Sequence, residues 1–126
     1  MTFAVLSLFA ALSSADAVVV LLNSPNSVGP RTYAEAKARV EREAAAGQSL
    51  QQFVVGVTTE DKELAKRYLD LSRARIVEMA EKKNNSLAWY LLAKELNDLE
   101  MLRKAAEGGN VQALNALGTI ITTEAL

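Results

Sequence analysis

The sequence predicts an all-α protein, a right-handed αα-solenoid of about three to four short helix pairs. The first observation behind this prediction is a corner that recurs along the chain, where one helix ends at a glycine or asparagine and another begins. The clearest corner lies in residues 105–120, where Gly108 and Gly109 can turn the chain and Asn110 can cap the next helix. The second observation is that apolar residues recur at helical spacing on both sides of each corner.

Two shifts of the sequence bring three such corners into register. A shift of 25 residues superimposes Asn110 on Asn85, Ala113 on Ala88, Leu117 on Leu92 and Gly118 on Ala93. A further shift of 37 residues superimposes Tyr90 on Phe53, Leu92 on Val55 and Ala93 on Gly56. The mean spacing is near the roughly 34 residues of a two-helix repeat, so insertions are expected in the connecting loops. The small residues, including Ala88 and Gly118, are expected to permit close approach of neighbouring helices.

The apolar opening segment has three interpretations, which the sequence leaves open. Residues 1–17 have the apolar run and small residues of a signal peptide, although the usual basic start is absent. Residues 3–22 are long enough for a membrane span, but Asp16 would cost about 2.5–3.5 kcal/mol there. In the third interpretation the segment is a terminal repeat helix with Asp16 near its start and its end at Leu22 or Asn23. The repeat domain is expected to comprise residues 18–126.

The next helices follow from their turn signals. Residues 23–30 contain both prolines and a glycine, so they are expected to form a loop. A helix is expected to restart at Arg31 or Thr32. Its residues 33–46 are expected to be amphipathic, because apolar and charged side chains recur there on separate faces. Gly47 would end this helix, and Ser49 would cap the following one, which continues to Val57.

The longest helix is expected over residues 60–83, after a cap at Thr58 or Thr59. It has acidic residues at its start and basic residues at its end, as the helix dipole favours. Asn84 and Asn85 then take the place of the glycine turn, since asparagine tolerates the left-handed conformation. Three shorter helices are expected to follow, over residues 86–96, 99–107 and 111–121, with a tight reversal at residues 97–98.

Two stretches of the chain share a motif. They are PRTYAEAKARVEREAAAGQSLQQFVVG, from Pro30 to Gly56, and LRKAAEGGNVQALNALG, from Leu102 to Gly118. Between them they show a Pro-basic-x-Tyr-x-x-Ala helix opening, then Ala-Ala-x-x-Gly, a further alanine, and Leu-Gly. In these features the chain resembles the Sel-one-like repeats, short relatives of the tetratricopeptide repeats, over about residues 10–121. The resemblance implies an αα-solenoid without catalytic residues and an adaptor role, often in exported bacterial proteins or in assemblies of membrane-protein quality control.

The composition excludes several classes of function. The chain has no cysteine and no histidine, so thiol chemistry, the usual zinc ligand and the commonest general base are missing. Its formal net charge of −1 provides no basic field for nucleic acid. The carboxylates of Glu60, Asp61 and Glu63 lack the glycine and alternating oxygen ligands of a calcium loop, and they are interpreted as first-turn helix acids. We therefore expect no catalytic residue, no metal site and no cofactor.

The expected function is a non-catalytic scaffold that binds a protein or peptide partner. The alternative is a small-ligand carrier or an enzyme on a helical bundle, which would need a closed polar cavity, for instance one lined by Tyr68, Glu78 and Lys94. The location of the protein depends on the opening segment. Export is expected if residues 1–17 are a signal peptide and the cytoplasm otherwise, with membrane association through this segment left open.

The predicted partner-binding surface is a column of residues that varies from unit to unit. In the register above, this column holds Gln52, Trp89 and Leu114, and Gln112 is close by. Such variety is typical of a position that faces solvent or a partner, and first helices of successive repeats line the concave surface of a solenoid. Trp89 is the expected anchor, because an indole offers a large apolar area and one hydrogen-bond donor. The alternative is that Trp89 packs between repeats.

Overall fold

The computed structural model of the protein describes residues 13–23 and 29–125, and regular structure in these ranges is entirely helical. The described residues form seven helices: α1 (Ser14–Leu22), α2 (Pro30–Ala45), α3 (Ser49–Thr58), α4 (Lys62–Lys83), α5 (Ser86–Leu96), α6 (Leu99–Glu107) and α7 (Val111–Ala125). The predicted all-α class is therefore confirmed for this part of the chain. The bounds predicted for α5 and α6 are also confirmed, while α7 continues beyond the predicted end at residue 121.

The start of α4 differs from the prediction. Asp61, and not Thr58 or Thr59, is the N-cap, and its carboxylate accepts hydrogen bonds from the backbone N–H groups of Glu63 and Leu64, each at 3.1 Å. Thr58 is instead the last residue of α3, where its hydroxyl donates to the backbone carbonyl of Val54 at 2.7 Å. The helix therefore begins two residues later than expected.

Three corners of the structure share one backbone pattern. Gly47, Asn84 and Gly109 have positive φ angles of 99°, 49° and 91°, and each directly precedes the N-cap residue of the next helix. These corners lie at the 37- and 25-residue spacings of the sequence register. The corners that the two sequence shifts align are therefore found in the backbone at the aligned positions. At such turns a positive φ lets the chain reverse within a residue or two.

The caps at these corners are chemically unequal. The side chains of Asn85 and Asn110 accept hydrogen bonds from the backbone N–H groups of Ala88 and Ala113, at 3.0 and 2.8 Å. In the first corner the N-cap is Gln48, which makes no side-chain capping bond. The predicted cap at Ser49 is therefore wrong, because Ser49 is already the first residue of α3.

The helices pack mainly in chain order. Each helix contacts the next one along the sequence, and α3 also contacts both α1 and α5. The most extensive contacts are between α3 and α4 and between α5 and α6. Residues 51–56 of α3 are all buried, which makes α3 the most enclosed helix of the described chain. By contrast, the only extensive contact of α7 with another described helix is the one with α6.

The first described helix belongs to this packing. Ala17, Val18 and Leu21 of α1 are buried in the same hydrophobic core as α2 and α3. The hydroxyl of Ser14 also donates to the carboxylate of Glu43 on α2. The helix predicted to end at Leu22 or Asn23 ends at Leu22.

The remaining interpretations of the opening segment depend largely on residues 1–12, which lie outside the described residues. The signal-peptide and membrane-span alternatives for this segment therefore stay predictions. Among the described helices, none combines the length and apolar character that crossing a membrane requires.

Two glycines that align in the repeat register have different surroundings. A Cβ atom built on Gly56 would lie 2.7 Å from both Cγ and Cδ2 of Leu69, so α3 and α4 approach closely at this point. Gly118 is exposed, and a Cβ atom built there would meet no atom of the described residues within 4 Å. The expected close approach at Gly118 is therefore wrong. Ala88, the other small residue singled out, is completely buried.

Candidate partner-binding surface

A groove between α5, α6 and α7 is the first candidate for a binding surface. Its volume is about 490 Å³, and it is open to solvent. It is lined by Tyr90, Ala93, Lys94, Asn97, Asp98, Leu99, Leu102 and Ala116, and we call it the C-terminal groove. Alanine and leucine side chains form its apolar part, and its polar groups come from α5 and from the turn between α5 and α6.

This turn is built by two adjacent polar residues. Asn97 has a φ of 54°, which ends α5, and Asp98 caps α6 by accepting a hydrogen bond from the backbone N–H of Met101 at 3.1 Å. The tight turn leaves Leu96 and Leu99 exposed on either side of it. Because exposed leucines next to an apolar groove add to a continuous apolar surface, this turn is suited to contact with another molecule.

Two polar side chains of α5 give the groove its chemistry. Tyr90 is half-buried, and burial raises the pKa of its phenol, so this group stays neutral and can both donate and accept hydrogen bonds. Lys94 follows one helical turn later, and its exposed side chain supplies a positive charge. The groove therefore combines apolar walls with one neutral hydroxyl and one cation.

A second groove lies between α1, α2, α3 and the start of α4. Its volume is about 520 Å³, and we call it the N-terminal groove. It is lined by Leu21, Tyr33, Lys37, Glu41, Val55, Thr58, Thr59, Glu60, Asp61 and Leu64. Residues 60–61 of this groove and residues 97–98 of the C-terminal groove are 37 residues apart, the spacing of the repeat register. The two grooves are thus similar in size and share this turn position, while none of their other lining residues correspond at this shift.

The residues predicted as the binding surface are placed differently. Gln52 is buried, and its Nε2 donates a hydrogen bond to the backbone carbonyl of Ala44 at 3.2 Å. Trp89 is only 8% exposed, and its Nε1 donates to the side-chain oxygen of Asn84 at 3.3 Å. The expectation that this column faces solvent is therefore wrong for Gln52 and Trp89. Gln52 is thus bonded to the preceding helix α2, and Trp89 to the residue that follows the end of α4.

The other two predicted residues lie on α7. Leu114 is 51% exposed and Gln112 is half-buried. The structure does not bring the four predicted residues together on one surface, and none of them lines either groove. Whether any of them contacts a partner stays a prediction.

Sequence reasoning missed the surface around the turn between α5 and α6. The Asn-Asp pair at residues 97–98 predicts the reversal, but helical periodicity alone assigns its flanking leucines to the helices without indicating their exposure. The available signal was the pair Leu96 and Leu99 on either side of an Asn-Asp turn, because a tight turn leaves its flanking side chains near the surface.

The residues that would have favoured an enzyme are not assembled. Lys94 lines the C-terminal groove, but Tyr68 and Glu78 line neither groove. The pKa of Arg73 is raised, first by its hydrogen bond with Glu95, and this ion pair joins α4 to α5 with a structural role. In the part of the chain that the structure describes, no group of three or more acidic side chains could hold a metal ion.

Comparison with protein-family models, with curated proteins and with solved structures found no significant match. The resemblance to Sel-one-like repeats therefore rests on the sequence motifs.

Proposed function

We propose that the protein is a non-catalytic scaffold for protein–protein interaction, a right-handed αα-solenoid of the Sel-one-like type. Three features support the solenoid. The helices contact each other in chain order, α3 contacts the helices two places before and after it, and the corners recur in register. In αα-solenoids each unit packs mainly on its neighbours and leaves an extended surface for binding.

The observation that carries the proposed function is the open, largely apolar C-terminal groove, with the exposed Leu96 and Leu99 on either side of its turn. The C-terminal groove is the better candidate of the two, because its walls are more apolar and exposed leucines flank it. In the N-terminal groove, Nζ of Lys37 lies 3.9 Å from Oε1 of Glu41, so these two side chains already form an ion pair. The C-terminal groove therefore has more apolar surface to gain from being covered.

The chemistry of the C-terminal groove specifies the kind of partner. Leu99 and Leu102 would contact an apolar side chain of the partner, and Lys94 would pair with a carboxylate. The expected ligand is thus a peptide segment with an apolar anchor next to an acidic residue. Apolar contacts would supply most of the affinity, and the charge pair would favour the correct orientation.

Selection of peptides from a random displayed library on the immobilised chain tests this function. Enriched peptides should carry an apolar residue near an acidic one and bind the unmodified chain. Leu99→Glu and Lys94→Glu should each weaken binding about tenfold or more, as expected when an important interface residue is lost. The matched control is Leu71→Glu, which introduces the same charge at an exposed leucine of α4 that lines neither groove.

Two outcomes of the library selection would contradict the proposal. No enriched peptide at all, or peptides whose affinity falls equally with Leu71→Glu and Leu99→Glu, would show that the C-terminal groove is not the binding surface. The alternative of a small-ligand carrier or an enzyme has no specific observation in its favour, because the C-terminal groove is open and a small ligand there would keep much of its surface in water.

A further inference from the structure

The N-terminal groove has an excess of negative charge among the described residues that line it. Glu41, Glu60 and Asp61 contribute three carboxylates, and Lys37 contributes one ammonium group. The C-terminal groove, by contrast, is lined by one group of each sign. Part of the difference lies at the turn position that the grooves share, where Glu60 stands at the 37-residue shift from the neutral Asn97. The two grooves therefore favour ligands of different charge.

The fold itself uses only part of this negative charge. Glu41 pairs with Lys37, and Oδ1 of Asp61 accepts both of the backbone hydrogen bonds that cap α4. Within the described residues, Oδ2 of Asp61 accepts no hydrogen bond, and the exposed carboxylate of Glu60 makes neither a hydrogen bond nor an ion pair. Glu60 also precedes the cap, so capping does not explain it. Two consecutive residues thus offer carboxylate oxygens to a cation.

The same groove also has an apolar surface. Leu21 of α1, Val55 of α3 and Leu64 of α4 line it, and Tyr33 of α2 adds an aromatic ring. Leu21 and Val55 are almost completely buried, whereas Leu64 and Tyr33 are half-buried. The half-buried pair suits the aliphatic stem of a lysine or arginine, because these side chains pack their stems on apolar groups and keep the charged end in water. The groove thus combines the two surfaces that a basic side chain needs.

We propose that the N-terminal groove binds an arginine or lysine side chain in a peptide segment of a partner protein. The charged end pairs with Glu60 and Asp61, and the stem covers Leu64 and Tyr33. Hydrogen bonds between a cation and a carboxylate are among the strongest in proteins. The groove is partly open to solvent, so a free amine would keep much of its surface in water, whereas a peptide also covers the surroundings. This site goes beyond the proposed function, and it shares no residue with the C-terminal groove.

The displayed-library selection on the unmodified chain also tests this second site. It should enrich a separate class of peptides that carry an arginine or lysine and lack the acidic residue of the first class. A labelled synthetic member of this class is then titrated by fluorescence anisotropy. Glu60→Gln should weaken its binding about tenfold or more, as expected when a charged hydrogen bond is lost. Asp61→Asn should weaken binding too, because asparagine removes the charge and still caps α4.

A change in the peptide gives an independent readout. Citrulline is an uncharged isostere of arginine, so the peptide with citrulline in place of its arginine should bind the unmodified chain about tenfold more weakly or worse. This comparison uses no variant of the protein, and it therefore tests the charge even where a substitution alters the fold.

Glu63→Gln is the matched control. Glu63 is exposed in the first turn of α4 and does not line the groove, so the same loss of charge there should leave the affinity unchanged. An equal loss of affinity in Glu60→Gln and Glu63→Gln would show that only the overall charge attracts the peptide, and it would overturn the proposal.

Three further results would overturn the proposal. They are a selection that enriches no basic peptide, equal affinities of the arginine and citrulline peptides, and competition by acetyl-arginine amide that is as strong as that of the whole peptide. The last result would mean that the groove takes a free cation and not a peptide. Basic peptides that bind as expected, in a selection that enriches no acidic peptide, would contradict the proposed function of the C-terminal groove alone.

Discussion

The ammonium group of Lys104 lies 4.6 Å from the centroid of the Trp89 ring. This cation–π contact joins α5 to α6, and the hydrogen bond from the indole to Asn84 joins α5 to the end of α4. The single tryptophan of the chain, which lies on α5, thus contacts both α6 and the end of α4. An indole in this position stabilises the packing between helix pairs.

The first prediction follows from this position. Trp89→Ala should lower the free energy of unfolding by about 3–5 kcal/mol, because it removes a large buried side chain and leaves a cavity. Urea denaturation followed by circular dichroism measures this change. Leu71→Ala is the control and should change stability by less than about 0.5 kcal/mol, since Leu71 is largely exposed. Similar stabilities of the two variants would show that the indole is not part of the core.

The second prediction concerns Gly56 and Gly118, which share a register position. Alanine favours a helix over glycine by about 0.5–1 kcal/mol, so Gly118→Ala should stabilise the protein by this amount. At Gly56 the same gain is opposed by the clash of the new Cβ with Leu69, and overpacking costs about 1–3 kcal/mol. Thermal melts of the two variants should therefore differ, with Gly56→Ala the less stable. Equal stabilisation by both would mean that α4 moves away at no cost.

The third prediction exchanges the caps of two equivalent corners. Gln48 and Asn85 have nearly the same backbone angles, with φ at −76° in both and ψ at 117° and 115°. Only the asparagine side chain makes a capping bond. Gln48→Asn should therefore raise the free energy of unfolding by about 0.5–2 kcal/mol, and Asn85→Gln should lower it by a similar amount. Chemical denaturation measures both variants, and changes of the same sign would contradict the role assigned to the cap.

Local chemistry explains how much of the fold was predictable. The ends of α5 and α6 follow from short-range signals, namely asparagine or glycine in the left-handed conformation and Asx caps, so their bounds could be read from the sequence. The start of α4 was predicted wrongly because Thr58, Thr59 and Asp61 are all good caps within four residues. Which of them caps α4 depends on where α3 ends, and the tertiary packing of α3 decides this.

The candidate surface was less predictable, because exposure depends on which helices follow. Gln52, Trp89 and Leu114 share a register position, yet the first two are buried and the third is exposed. Variety within a column therefore did not indicate a solvent-facing position. It reflects three environments, in which Gln52 bonds to the carbonyl of Ala44, Trp89 lies under Lys104, and Leu114 is left open at α7.

The last prediction concerns the opening segment and separates its interpretations. A chain that begins at Ser13 keeps α1 with its cap, since the Ser13 hydroxyl accepts a hydrogen bond from the backbone N–H of Asp16. A chain that begins at Val18 loses the first turn of α1 and the buried Ala17. A chain that begins at Asn23 lacks α1 completely.

The three chains should melt in that order, with the one that begins at Asn23 the least stable. In that chain α1 is absent, so the buried side chains of Val18 and Leu21 are lost, and the burial of each stabilises the fold by about 1.5–3 kcal/mol. The core surfaces of α2 and α3 that α1 covers also become exposed. Differential scanning calorimetry gives the melting temperatures, and the chain that begins at Ser13 is the control. If all three melt together, α1 does not contribute to the stack. N-terminal sequencing of the protein from its own host then decides whether residues 1–17 are removed: a mature chain that starts at Val18 would support the signal-peptide interpretation, and one that retains Met1 would exclude it.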